Sequence, residues 1–318
     1  MTSSPTEAPG RVLASQLRAR RAGGMTPRPS AWGIDSETGV LRDVLLGPID
    51  HFSWQPGNAV VARSQRVGLA FDKSTATAQY REVVHAFEQA DVQVHQLPAD
   101  PGLPYQIFAR DSSVMTPWGA VVMQLQKPFR RGEYAACLRF YLEKGIPIYD
   151  LVTAGNVEGG DFMVLKPGIA ICGYSGERSI EPAVEQLRAW FGAEGWELHT
   201  YAFDPHFLHL DVQIGMIARD LAAVCAEAVE PQLVDWLHAK GIRTIDVSYA
   251  DAMQLGTNVV SLGLDRALIP ATSRNLIAAC RAEGITVYDP DVSMIAQGGG
   301  AIHCMCQALR RDDESKSA

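Results

Sequence analysis

Five times along this 318-residue chain, apolar residues recur at helical spacing, stop abruptly, and give way to a short β-branched segment. The pairs are residues 82–91 then 92–95, 134–145 then 146–149, 183–195 then 196–199, 231–241 then 242–245, and 276–284 then 285–288. Four of the five predicted helices end at glycine, which takes the left-handed conformation of a helix terminus without a Cβ clash. Between each strand and the next helix lie two apolar runs, as in 161–165 and 169–172 around Lys166-Pro167-Gly168, and these predict hairpins. The other hairpins fall at 113–124, 212–226 and 258–270.

The stops are spaced by roughly 45–55 residues, a period that points to a repeat architecture. Five units of strand, strand, helix and strand predict an α/β fold: a five-bladed pseudosymmetric α/β propeller of ββαβ repeats around a central channel. A plain α/β sandwich whose elements merely alternate is the competing arrangement. In a closed ring, side chains from different units converge near the axis, so chemistry is sought there. The expected organisation is a flexible amino-terminal tail over residues 1–32, a single catalytic domain over 33–312, and a short tail over 313–318.

Composition narrows the class. Hydrophobic residues make up 47% and charged residues 20%, enough apolar mass for a real core. A formal net charge of −8 argues against nucleic acid or an anionic membrane as partner, and fits a small cationic ligand better. The chain carries no apolar run of about 18 residues, so no transmembrane helix is expected. Arg11, Arg18, Arg20, Arg21 and Arg28 lie among Ser, Pro, Ala and Gly without the apolar stretch of a signal peptide. Six cysteines show no framework of spacings and read as reduced thiols in a cytoplasmic protein, with a homo-oligomer left open.

The most distinctive stretch runs Gln297-Gly298-Gly299-Gly300-Ala301-Ile302-His303-Cys304-Met305-Cys306-Gln307. Three consecutive glycines squander chain entropy unless backbone must come close to something, and a thiol just after them is a candidate nucleophile. A structural cysteine is the bland alternative, and a metal site is weak because no second Cys/His pair has ligand spacing. Other polar residues stand at predicted strand ends: Phe108-Ala109-Arg110-Asp111, Asn156-Val157-Glu158-Gly159-Gly160-Asp161, and Phe207-Leu208-His209-Leu210-Asp211. Together they offer a thiol, an imidazole and several carboxylates. Attack on a guanidinium needs that set: acids to hold a planar cation, a sulfur nucleophile, and a base that exchanges protons with nitrogen.

These segments, in this order, resemble the guanidino-group-modifying superfamily of arginine deiminase, agmatine deiminase, dimethylarginine dimethylaminohydrolase and the amidinotransferases. The resemblance covers about Gly33 to Arg311 and implies the same five-bladed fold. It implies Cys304 as nucleophile, His209 as general acid/base and Glu158 as the carboxylate that orients this histidine. Asp111 and Asp211 are then guanidinium clamps, the second typical of deiminases and amidinotransferases. Arg178, and Arg130 or Arg131, match segments that bind a substrate carboxylate, and Phe108 lies in the first clamp motif. No metal and no cofactor is implied.

Two departures stand out. Tyr105 occupies the position where deiminases and dimethylaminohydrolases commonly carry Asn or Asp, and Gln297-Gly298 stands where free-arginine deiminases tend to carry Arg. The triple glycine looks closer to agmatine deiminase. The expected reaction is hydrolysis of a C–N bond in a guanidino compound through a covalent thiouronium on Cys304, with amidino transfer to an amine as the alternative. Residues 54–70, long, polar and glycine-bearing, are the expected lid.

Overall fold

The computed structural model describes residues 32–55 and 59–312, so the expected tails lie outside the described residues apart from Trp32. In chain order the strands and helices are β1 (Leu41–Leu46), α1 (Ala59–Arg66), α2 (Lys73–Gln89), β2 (Gln93–Gln96), β3 (Ser113–Thr116), β4 (Gly119–Val122), α3 (Glu133–Lys144) and β5 (Ile148–Leu151). Then follow β6 (Phe162–Lys166), β7 (Ile169–Tyr174), α4 (Glu181–Ala193), β8 (Glu197–Ala202), β9 (Ile214–Ala218), β10 (Leu221–Val224), α5 (Pro231–Ala239) and β11 (Arg243–Asp246). The last part holds α6 (Tyr249–Ala252), β12 (Val260–Ser261), β13 (Arg266–Leu268), α7 (Arg274–Ala282), β14 (Thr286–Tyr288), α8 (Ser293–Ala296), α9 (Ile302–Met305) and β15 (Cys306–Arg311).

The strands form five three-stranded sheets among the described residues, in the orders β15-β1-β2, β3-β4-β5, β6-β7-β8, β9-β10-β11 and β12-β13-β14. All five share one plan: the first two strands pair antiparallel and the third joins parallel after its helix. A parallel neighbour requires a crossover, and the helix supplies it. Strands β3, β4 and β10 are buried throughout, whereas β2 and β11 are exposed or half-buried. The antiparallel pair therefore faces the interior and the parallel strand forms the outer edge.

Helix ends follow from sequence. Gly145, Gly195, Gly241 and Gly284 take positive φ just past α3, α4, α5 and α7, and Asp91 takes the same conformation at φ 59° after α2. Helix α2 starts nine residues before its predicted start of 82, at Lys73, because Asp72 caps it by accepting from Ser74 N and Thr75 Oγ1.

Successive sheets are in contact. Ile34 N donates to Thr116 O, Gln124 and Val157 bridge the second and third sheets, and Leu41 N donates to Leu262 O between the first and fifth. A buried cluster including Leu165, Ile171, Ile214, Met216 and Val224 joins the third sheet to the fourth, and another including Ile217, Ala223, Val259 and Ile269 joins the fourth to the fifth. All six cysteines are free and buried. No helix among the described residues is long and apolar enough to cross a membrane.

Candidate active site

Each repeat enters its first strand through a short turn, and the polar residues singled out in the sequence sit in these turns. Asp111 belongs to the 3-10 turn Ala109–Ser112 before β3, Glu158 precedes the turn Gly159–Asp161 before β6, and His209 precedes Leu210–Val212 before β9, which carries Asp211. Asn258 lies just before β12, and Cys304 lies in α9 just before β15. Five turns, one from each sheet, thus present the same structural position to a common interior.

The turns pack closely enough to explain their glycines. A Cβ on Gly159 would stand 2.0 Å from Arg110 O, and one on Gly160 would stand 2.7 Å from His209 Nδ1. The glycine run before Cys304 has the same origin: a Cβ on Gly298 would meet Phe52 Cζ at 2.7 Å, and one on Gly300 would meet Phe108 Cε1 at 2.4 Å. Only backbone fits beneath these rings.

Within the interior, Cys304 Sγ stands 3.4 Å from Asp211 Oδ2 and accepts a hydrogen bond of 3.3 Å from Asn258 Nδ2. Cys304 N donates to Asn258 Oδ1 at 3.2 Å, so one carboxamide grips both ends of the cysteine. His209 Nε2 lies 2.8 Å from Glu158 Oε2, and its Nδ1 lies 3.8 Å from Asp111 Oδ1. Arg178 Nη1 donates to Glu158 Oε2 at 3.0 Å. Arg130 Nη1 donates to Asp111 Oδ2 at 2.7 Å, and its Nε and Nη2 form a two-pronged pair with Glu133 at 2.9 and 2.7 Å. His303 Nδ1 stands 2.8 Å from Asp211 Oδ2, whereas Asp211 Oδ1 is buried with no hydrogen-bond partner among the described residues.

Burial and charge set the protonation states. Burial pushes the Cys304 thiol up to about 12; the Asp211 and Asp111 carboxylates add to the shift and His209 opposes it. Burial opposes a charge on His209, yet Asp111, Asp161, Cys304 and Glu158 hold its pKa well above the ordinary imidazole value. Burial likewise opposes the charge on Glu158, but Arg178, His209 and Arg130 hold it far below the usual carboxylate range. Asp211 is lowered against burial by His303 and His209, with Cys304 contributing. These directions favour a protonated thiol on Cys304, an imidazolium on His209 and carboxylates on Glu158 and Asp211, whereas burial pushes Glu133 and Asp161 up to about 7.

Of the residues expected from sequence, Cys304, His209, Glu158, Asp111, Asp211, Arg178 and Arg130 are buried in this cluster, and Phe108 walls it, accepting from Arg130 through its carbonyl. Arg131 is exposed and stands outside the cluster, because it caps the turn Pro128–Arg130 with its side chain toward solvent. Arg110 binds Gly159 O, Phe162 O and Glu37, tying neighbouring repeats together.

A model of the family described as N,N dimethylarginine dimethylhydrolase, eukaryotic, matches residues 58–311. The chain belongs to this family. Among characterised relatives, it is 27% identical over 233 residues to N(G),N(G)-dimethylarginine dimethylaminohydrolase of Mycobacterium tuberculosis, covering 73% of this chain and 75% of that protein. It is 29% identical over 280 residues to the uncharacterised protein YkgA of Bacillus subtilis, covering 87% of this chain and 95% of the other. Among solved structures, the N-terminal domain of ArgZ bound to substrate, an arginine dihydrolase of cyanobacteria, aligns with TM-score 0.74 and 19% identity over 85% of this chain and 98% of that one. That last likeness speaks for the fold alone.

Within the family's frame, two residues of the site went unassigned in the sequence. Asn258 hides in Gly256-Thr257-Asn258-Val259, where an Asn before a strand reads as a turn residue. The repeat register was the available signal: Asp111, Asn258 and Cys304 each stand two residues before a strand. His303, next to Cys304, carries no motif that marks it in the sequence. Ligand atoms of Asp111, Glu158 and His209 lie within 4.8 Å of one another, a spacing that could hold a cation. Arg130 and Arg178 already face those carboxylates and His209 is held protonated, so the donor set is a poor fit to a metal.

Proposed function

We propose that the chain is a guanidino-group hydrolase acting on arginine or an N-substituted arginine through a covalent intermediate on Cys304. One observation carries the reading: the nucleophile's sulfur lies beside a carboxylate, Asp211, that keeps a buried oxygen without a partner. A buried anionic oxygen is costly unless a donor meets it, and a guanidinium brings paired N–H donors and a positive charge. Asp211 also favours the deiminase type of substrate clamp over the arrangement typical of dimethylaminohydrolases.

The mechanism follows from the charges. A bound cation lowers the Cys304 pKa, the thiol proton passes to solvent, and the thiolate so formed adds to the central guanidinium carbon. His209, already protonated, gives its proton to the departing nitrogen, which leaves as ammonia or an amine and leaves a thiouronium on sulfur. His209 is then neutral and deprotonates a water; attack by that water releases a ureido product and restores the thiol. Glu158 holds the imidazole and Arg178 holds Glu158.

We infer further that the five sheets close into a five-bladed ring around these turns, forming one catalytic domain. Supporting this are the contacts between each sheet and the next, and the pairing of β1 with β15, which puts both ends of the repeat region in one sheet. Residues 59–70 of the expected lid reach the site's rim through Ser64 Oγ on Gln297 Oε1 and Arg63 Nη2 on Met253 O.

The test is a panel of arginine, its methylated forms, agmatine and guanidino acids, each scored for ureido product and released amine. Turnover of at least one compound, abolished in Cys304→Ser, is the expected result. Formation of ornithine and a new guanidino compound when glycine or lysine is added would instead establish amidino transfer.

A further inference from the structure

We propose that His303 is a positioning residue for the Asp211 clamp, dividing the two oxygens of that carboxylate between anchorage and substrate. The inference rests on the proposed function. His303 immediately precedes the nucleophile in α9 and is buried. Its Nδ1 lies 2.8 Å from Asp211 Oδ2, and since Asp211 is ionised and can only accept, Nδ1 must carry the proton. The same Oδ2 is the oxygen that Cys304 Sγ approaches at 3.4 Å.

Two donors therefore share one oxygen, and the other oxygen is buried without a partner among the described residues. That division has two consequences. An oxygen engaged by an imidazole N–H holds the thiol proton less strongly, so His303 eases formation of a thiolate beside a carboxylate. Anchoring Oδ2 also fixes the carboxylate plane, which keeps Oδ1 available to a guanidinium N–H rather than rotating onto the sulfur.

The charged groups around this pair are consistent with a donor role. Across from Asp211, His303 lies within electrostatic reach of Glu37, whose charge is opposed by burial but favoured by Arg110, His303 and Arg311. Cys304 is faced by Asp211, His209 and Asp111.

The experiment compares alkylation of Cys304 by cationic 2-chloroacetamidine and by neutral iodoacetamide across pH, read by mass spectrometry, in wild type, His303→Ala, His303→Asn and His303→Gln. Asn places its amide nitrogen where Nδ1 stands; Gln places it where Nε2 stands. His303→Ala and His303→Gln are expected to lose the preference for the cationic reagent about tenfold or more, the size of a hydrogen bond to a charged group. They should also shift the alkylation profile upward by about one pH unit. His303→Asn should keep both near wild type. If His303→Ala does not fold, the Asn and Gln variants carry the comparison alone. An unchanged reagent preference and pH profile in His303→Ala, or equal behaviour of Asn and Gln, overturns the proposal. Because alkylation needs no turnover, a wild-type protein that hydrolyses no guanidino compound would count against the proposed function and leave this test standing.

Discussion

A thiol pushed up to about 12 is a weak nucleophile near neutrality, so under the proposed function the site stays quiet until a cation arrives. The sign of the resulting pH dependence is fixed. In the free protein the thiolate fraction grows with pH below the thiol pKa, while the raised pKa of His209 extends the protonated range of the acid upward from the ordinary imidazole value. Under the proposed function, kcat/KM should rise about tenfold per pH unit from pH ~6 to ~7.5. A flat profile measured over that interval would contradict a protonated resting thiol. The grouping of these residues was legible because the thiol, imidazole and acids sit in distinctive short motifs. Asn258 and His303 were not, because their roles exist only across repeats: each acts on a residue that another strand or turn brings beside it.

At the scale of elements, the glycine run is the most sensitive part. Gly300→Ala places a Cβ 2.4 Å from the Phe108 ring, so either the ring or the loop carrying Cys304 must move. The expected cost is about 1–3 kcal/mol of stability, and about a hundredfold in kcat if the sulfur shifts by about 1 Å. Gly192→Ala in α4 meets no atom within 4 Å and should leave kcat unchanged while stabilising slightly, which makes it the control. Thermal melting and steady-state kinetics on the two variants check both statements. Helix ends and hairpins were readable from glycine and apolar period. The early start of α2 was not, because residues 73–81 are mostly polar or small and the capping by Asp72 is a local hydrogen-bond effect rather than a pattern. The short helices α6, α8 and α9 lack any period long enough to detect.

For the whole molecule, the repeat makes the site a shared product: no single sheet holds more than a fraction of it. The third sheet's turn supplies Glu158, the fourth supplies His209 and Asp211, and the first receives the strand that follows Cys304. Stopping the chain before Cys306 removes β15, the antiparallel partner of β1. The expected outcome is loss of the cooperative fold, seen as a missing thermal transition and early elution in size exclusion. A truncated protein that melts like the full chain would show that the first sheet does not need its last-made strand.

The pairing of β1 with β15 also bears on biosynthesis. Leu46 aligns with Cys306, so β1, which has β2 on one edge, waits for its antiparallel partner until a strand translated after Cys304 is made. The nascent polypeptide therefore carries a half-paired first strand while the other sheets emerge, and under the proposed function becomes competent for chemistry only once ribosomal synthesis has passed Cys304.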